Sequence, residues 1–418
     1  MDKEVKIAVL GLGVVANGLV ENLTAAKEKI KQQTGLTFSI AKVLVRSKEN
    51  KKKQAEKHQL VLTTEFDEIL EDSDIAIVVE LIGGIHPAKE WIAQALQHKK
   101  HVVTANKDLI AQFGNELTAI AEENNVSLFY EASVAGGIPI LQTLNSSFIA
   151  DEITEIQGIL NGTTNFMLTQ MTEAEISYDE VLKTAQSAGF AESDPTNDVD
   201  GWDAAYKLMI LVRLAFSKDL SLNDVQIKGI REITQTDIFY AQKFGYQIKL
   251  LAQAEKVSGE IYAAVSPVLI SQTHPLALVK NEMNAVFIES EAIGSSMLYG
   301  PGAGASPTAA SVVTDILKIA QNMIDSSQAL QMSTSDLPSC KIHEEMTSSY
   351  YLLLSDCKVD LPAFLEKQQI TPVFFKQQPK NTGAAFITNQ LTVEQKNSLL
   401  EQLQQVSHIK QILSVWGK

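Results

Sequence analysis

Residues 5–16 read VKIAVLGLGVVA. The run Val5 to Leu10 is β-branched and apolar, as a buried strand requires, and it breaks into Gly11-Leu12-Gly13-Val14-Val15-Ala16, the GxGxxG/A spacing of a phosphate-binding turn. Gly11 lets the chain turn, Gly13 lets the backbone approach a pyrophosphate, and the small Ala16 lets the following helix pack closely on the strand. A helix that starts here aims unsatisfied N–H groups at the phosphates. An ordinary glycine turn is the alternative, but the position between strand and helix within a βαβ unit favours a dinucleotide site.

Outward from that turn the chain keeps a βαβ rhythm, which predicts an α/β, doubly wound parallel sheet over residues 1–137. Expected strands are Val5 to Leu10, Ser39 to Val45, Ile75 to Glu80, His101 to Thr104 and Ser127 to Glu131, with helices between them at Val15 to Ile30, Lys51 to His58, Ala88 to Gln97 and Glu116 to Asn124. The rhythm changes near Ile138, and residues 138–304 mix helices with antiparallel-looking strands, an α+β domain. A helix over about 305–322, with Ser306 as N-cap and Pro307 in its first position, is expected to return to the first domain. Residues 323–348 read as a linker, and 349–418 as a βαββαβ, ferredoxin-like unit in which Thr392 and Gln395 make a capping box.

The 418 residues carry 35 Lys+Arg against 50 Asp+Glu, a net charge of -15 that disfavours nucleic acid as a partner. The apolar runs Ile75 to Ile85 and Leu208 to Phe216 are short or broken by charge, so no membrane span is expected. Cys340 and Cys357 show neither metal nor disulfide spacing, and the N-terminus lacks the pattern of a signal peptide, so a reducing, cytoplasmic setting is expected.

The second strand ends in Val45-Arg46-Ser47-Lys48, where an NAD site would usually place an acid on the ribose hydroxyls. Arg46 can instead clamp a 2'-phosphate, which favours NADP(H) and leaves NAD(H) open; a solvated charge is the plainer alternative. The fourth strand ends Thr104-Ala105-Asn106-Lys107, at the edge of an open sheet where ligands bind. Downstream lies Gly189-Phe190-Ala191-Glu192-Ser193-Asp194-Pro195-Thr196-Asn197-Asp198-Val199-Asp200-Gly201-Trp202-Asp203, followed by Lys207 one helical turn after Asp203. Asp203 with Lys207 would make an ordinary surface ion pair, but the pair opens an apolar helix just after a carboxylate-rich loop. Carbonyl reduction by a nicotinamide needs an acid for the developing alkoxide, and a lysine among carboxylates can supply that proton. Surplus carboxylates suit a substrate with an ammonium group. Thr163, in Gly158-Ile159-Leu160-Asn161-Gly162-Thr163-Thr164-Asn165, can bind a substrate carboxylate or belong to a plain N-cap loop ahead of a helix from Phe166. Glu131 opens a second glycine turn, EASVAGGIP, whose carbonyls could hold a cation.

The segments GLGVVANG, VVELIGGIHPA, VVTANKDLIA, YEASVAGGIPI, GILNGTTNFML, AESDPTNDVDGWDAAYKL and GPGAGASPTAASVVTDIL, spread over most of residues 5–320, resemble the homoserine dehydrogenase family. The resemblance implies a Rossmann-type cofactor domain, a central catalytic and dimerisation domain, and interconversion of L-homoserine and L-aspartate 4-semialdehyde by a homodimer or higher homo-oligomer. It implies Lys207 as proton donor, Lys107 at cofactor and substrate, and Glu192, Asp203 and Asp198 with Thr163 at the substrate. It places Gly11, Leu12, Gly13, Val14, Val15, Arg46, Thr104, Gly189 and Gly304 along the cofactor, and a monovalent cation such as sodium at Glu131, Val134, Gly136 and Ile138. The last unit resembles an ACT domain, except that Asp360-Leu361-Pro362-Ala363 stands where Asp-x-Pro-Gly is common, so Ala363 adds a methyl group where an effector would approach.

Overall fold

The computed structural model describes residues 3–325, 337–339, 341–343, 346–377 and 383–416. The chain forms two compact units, Met1–Ile153 with Tyr206–Leu222 and Glu289–Cys340, and Thr154–Ala205 with Asn223–Ile288 and Lys341–Lys418. Its N-terminal elements are β1 (Lys3–Leu10), α1 (Val14–Thr34), β2 (Leu36–Leu44), α2 (Lys48–His58), β3 (Leu62–Thr63), α3 (Asp67–Leu70), β4 (Ile75–Glu80), α4 (Ala88–Gln97), β5 (His101–Thr104), α5 (Lys107–Glu123), β6 (Leu128–Phe129) and α6 (Ile140–Ser146). Then come β7 (Ile153–Ile159), α7 (Gly162–Glu173), α8 (Tyr178–Ser187), α9 (Thr196–Val199), α10 (Trp202–Phe216), β8 (Gln226–Ile227), α11 (Gln235–Lys243), β9 (Tyr246–Val257), β10 (Glu260–Ser271), β11 (Met283–Ser290), β12 (Ser296–Pro301) and α12 (Ala305–Asp325). The chain closes with β13 (Ser349–Ser355), α13 (Leu361–Lys367), β14 (Phe374–Gln377), β15 (Gly383–Ile387), α14 (Val393–Val406) and β16 (His408–Trp416).

In the first unit six parallel strands lie in the order β3-β2-β1-β4-β5-β6. The strand order reverses between β1 and β4, the switch point where such sheets open a ligand crevice at their carboxyl ends. Pairing of Leu10 with Leu44 and with Glu80, and of Glu80 with Thr104, brings the ends of β1, β2, β4 and β5 level. Ala309, Val312, Ile316 and Ile319, spaced along one face of α12, share the core of Val5, Ile7 and Val9.

Among the boundaries that differ from expectation, three have a cause in named hydrogen bonds. The strand foreseen at Ser127 to Glu131 pairs only at Leu128–Phe129, because the Glu131 N–H turns to Asp315 Oδ2 (2.9 Å) and the chain tightens into a 3-10 turn, Glu131–Ser133. Helix α5 starts at Lys107 rather than Glu116, since Asn106 Oδ1 caps the Leu109 N–H. Ser306 is already inside α12 instead of capping it: its hydroxyl bonds Asn22 Oδ1 at 3.1 Å and its carbonyl accepts Asn22 Nδ2 at 3.0 Å.

The second unit is built on a sheet running β11-β7-β9-β10-β16-β13-β15-β14, with β8 beside β10. The hairpin β9–β10 turns through Ser258 (φ 51°) and Gly259 (φ 87°), the paired positive angles of a turn that matches strand twist. The C-terminal βαββαβ segment has its own core of Leu352, Leu354, Leu361, Leu365, Phe386 and Leu403, and its capping box at Thr392 and Gln395 is present. Its strand β16 also pairs in parallel with β10, Val268 against Ser414, so the segment continues the sheet of the second unit. Cys340 and most of the expected linker lie outside the described residues. Among the described residues no helix is long and apolar enough to cross a membrane.

Candidate active site

The first unit presents a nucleotide cradle at the end of β1. Gly11 holds φ 94°, and a Cβ there would stand 3.0 Å from the Leu81 carbonyl. Gly13 is the N-cap of the 21-residue α1 and has open space where its Cβ would be, as a backbone meant to touch a pyrophosphate needs. Val14 is 71% exposed beside it, while Leu12 is buried beneath. The close-approach position of the glycine pattern is Gly18 as well as Ala16: a Cβ on Gly18 would collide with the Ala305 carbonyl of α12. Arg46 stands exposed just past β2, and Gly304, at φ 120°, leads into α12. These residues fit a dinucleotide with respect to space, free amides and charge.

At the end of β5 the Thr104 hydroxyl donates to Glu80 Oε2 at 2.6 Å and accepts the Asn106 N–H at 3.0 Å, so its side chain is turned inward. Lys107 opens α5 with its ammonium 3.3 Å from Asp108 Oδ1, half-buried. The glycine turn at 131–138 is closely built. Glu131 accepts the Leu141 and Gln142 amides at 2.9 and 2.6 Å, the Ser311 hydroxyl donates to the Gly136 carbonyl at 2.7 Å, and the Ile138 carbonyl accepts the Ile140 N–H. Burial pushes Glu131 up to about 7, against the pull of those amides and Lys318. Asp315 in α12 is raised too, by burial and by Glu131. Two carboxylates thus share a small cleft lined also by Lys318.

In the second unit the carboxylates sort themselves. Asp200 is held by Arg231 (2.5 and 3.1 Å), and Asp194 accepts the Thr196 N–H, so both are structural. Asp198 and Asp203 are drawn together by one amide: Asn161 Nδ2 donates to Asp198 Oδ1 at 2.7 Å and to Asp203 Oδ2 at 2.9 Å. Asn161 Oδ1 caps α7 through the Thr164 N–H, which starts that helix at Gly162, ahead of the expected Phe166. The Thr163 hydroxyl donates to the Phe190 carbonyl at 2.6 Å. Glu192 lies exposed in the loop after Gly189, whose φ of 78° ends α8. Lys207 follows Asp203 by four residues along α10, whose residues from Tyr206 on belong to the first unit.

Sequence reasoning missed what anchors the start of α7. Lys249, 3% exposed in β9, donates to Asn165 Oδ1 (3.0 Å) and the Val279 carbonyl (2.5 Å), while Asn165 Nδ2 reaches the carbonyls of Asn281 and Met283. The only sequence signal was a lone lysine in the apolar run YQIKLLAQA. Burial, helped by the like charge of Lys280 and opposed by Glu173, pushes its ammonium down to about 8. Between about 8 and 10.5 the unfolded chain keeps a proton that the folded chain has released, so this group raises stability as pH rises through that window. Relative to Lys249→Met, the wild type should gain about 3 kcal/mol between pH 7.5 and 10.5 in chemical denaturation. A pH-independent difference would contradict it.

Two family models match the chain, one described as "Homoserine dehydrogenase, NAD binding domain" over residues 11–131 and one as "Homoserine dehydrogenase" over residues 139–317. The chain belongs to the homoserine dehydrogenase family. The homoserine dehydrogenase of Bacillus subtilis is 48% identical over 321 residues, 77% of this chain and 74% of that one. A homoserine dehydrogenase from Thiobacillus denitrificans has the same fold at a TM-score of 0.92 and 33% identity, covering 99% of this chain and 98% of its own. A hyperthermophilic archaeal homoserine dehydrogenase in complex with NADPH matches with a TM-score of 0.65 and 30% identity, over 76% of this chain and 98% of that one. As a member of that family the chain is an oxidoreductase of amino-acid biosynthesis with a Rossmann-like, NAD-binding unit.

Proposed function

We propose that the chain interconverts L-homoserine and L-aspartate 4-semialdehyde with NADP(H) favoured and NAD(H) accepted, and that Lys207 is the proton donor to the aldehyde oxygen. The observation that carries this reading is the pair Asp198 and Asp203, held together by Asn161 at the start of the helix that bears Lys207. When bound, the nicotinamide supplies or takes the hydride. In reduction the Lys207 ammonium gives its proton to the oxygen as negative charge develops there; in oxidation its neutral amine takes the proton from the hydroxyl. Glu192, Asp203 and Asp198 bind the substrate ammonium, Thr163 lies at its carboxylate, and Lys107 contacts cofactor and substrate. The assay is the change in nicotinamide absorbance with L-homoserine and either nucleotide; a folded protein without turnover on both would overturn the reading.

The NADP(H) preference rests on the exposed Arg46 where an acid would serve NAD, and on the NADPH complex of the archaeal relative. Arg46→Ala should raise KM for NADP about 10- to 100-fold, the loss of one charge-assisted contact, and leave KM for NAD unchanged. Equal KM values for both nucleotides in wild type and variant would remove Arg46 from the site.

A monovalent cation at Glu131, Val134, Gly136 and Ile138 suits hard oxygen donors and would favour the ionised forms of Glu131 and Asp315, which burial disfavours. We read the segment 349–418 as an ACT domain on its βαββαβ order; its edge pairing through β16 and the Ala363 departure favour an assembly role over effector binding. The homodimer or higher homo-oligomer and the cytoplasmic setting are proposed on the family resemblance.

A further inference from the structure

Glu80 ends β4 between β1 and β5, at the switch point of the first unit's sheet, and is fully buried. No basic residue pairs with it among the described residues; its partners are all neutral. Oε1 accepts two consecutive amides, Ile82 at 2.7 Å and Gly83 at 3.0 Å, and Oε2 accepts the Thr104 hydroxyl at 2.6 Å. The Thr104 oxygen in turn receives the Asn106 N–H at 3.0 Å, and Asn106 Nδ2 donates to the Gly84 carbonyl at 2.6 Å. The bonds close a ring, from the carboxylate to loop 82–84, to Asn106, to Thr104 and back. Asn106 also caps α5, whose first residue is Lys107. On its other side the loop lies against Gly11, the turning glycine of the nucleotide cradle.

A buried carboxylate without a counter-charge costs stability, and an apolar residue would serve packing alone more cheaply. What the carboxylate does here, and an apolar side chain cannot, is hold two loops in one register. We propose that Glu80 is a positioning residue for Lys107, setting the first turn of α5 against the loop that borders the nucleotide cradle. The inference rests on the reading of Lys107 as a residue of the active site.

Glu80→Gln is nearly isosteric and selective. Its carbonyl oxygen can still accept the Ile82 and Gly83 amides, but its NH2 meets the Thr104 oxygen, whose hydroxyl hydrogen then has no acceptor, so the link toward Asn106 is the one disturbed. Steady-state kinetics on wild type, Glu80→Gln, Lys107→Ala and the double variant make the test, with melting temperature as the check on folding. Glu80→Gln should lower kcat about 10- to 100-fold, the scale expected for a misplaced group, and change kcat little further in the Lys107→Ala background. Should Glu80→Gln fail to fold, Thr104→Val removes the same hydroxyl link and takes its place in the cycle. An equal fold-loss with and without Lys107, or an unchanged kcat in a folded variant, overturns the proposal. A Lys107→Ala enzyme with wild-type kcat overturns the reading of Lys107 itself, and the role of Glu80 through it.

Discussion

Lys207→Ala is expected to lower kcat for homoserine oxidation by about 10²- to 10⁴-fold, the range general acid–base groups contribute, while the affinity for the nicotinamide nucleotide stays unchanged. Lys207 sits half-buried in the first turns of α10, and from Leu208 to Val212 the helix is wholly buried. Lys207→Arg should not restore turnover. A guanidinium keeps the charge but does not release its proton, and the oxidation direction needs a neutral base. Stopped-flow traces with nucleotide and homoserine separate hydride transfer from binding. A Lys207→Ala enzyme that retains most of the wild-type rate would exclude this residue as the acid and point to solvent or Lys107.

Arg213→Met should cost about 3 kcal/mol of stability, the lower end for breaking a buried ion pair. Arg213 is 1% exposed in α10 and gives its hydrogens to the Ile110 carbonyl (2.8 Å), the Ala111 carbonyl (2.9 Å) and Asp219 Oδ1 (2.8 and 3.1 Å). Methionine fills the stem but cannot donate to Asp219 or to the Ile110 and Ala111 carbonyls; because the Asp219 carboxylate keeps some contact with water, the cost is not larger. Gly114→Ala tests the same joint, since its Cβ would fall on the guanidinium. Both variants should lower the denaturation midpoint, and an unshifted midpoint for Arg213→Met would show that the pair contributes nothing net. The ties also relate the two lysines within one unit: Arg213 lies two turns after Lys207, and its carbonyl partners follow Lys107 in α5.

Features that depend on neighbours in the chain were legible beforehand. The strand–turn–helix at Val5 to Ala16, the helix Ala88–Gln97, the helix Trp202–Phe216 and the capping box at Thr392 stand where periodicity and cap residues placed them. The failures at Ser306 and at the strand before Glu131 share a cause. In each, a side chain more than 180 residues away, Asn22 or Asp315, captured the group that would have made the local structure.

The same division runs through the candidate site. Residue types and order alone determined a parallel nucleotide-binding sheet, the family, and a set of lysines and carboxylates suited to an amino-acid aldehyde. Only the tertiary structure decided what each charged group does: Asp200 is spent on Arg231, Asp194 on its own loop, and Asp198 with Asp203 is gathered by Asn161. Glu80, Lys249 and Arg213 read in the sequence as polar breaks in apolar runs, yet each closes a buried network. A charge is settled by the groups that neutralise or bond it, and for each of these residues at least one such group, Thr104, Asn165 or Ile110, comes from 24, 84 or 103 positions away, where no local pattern reaches.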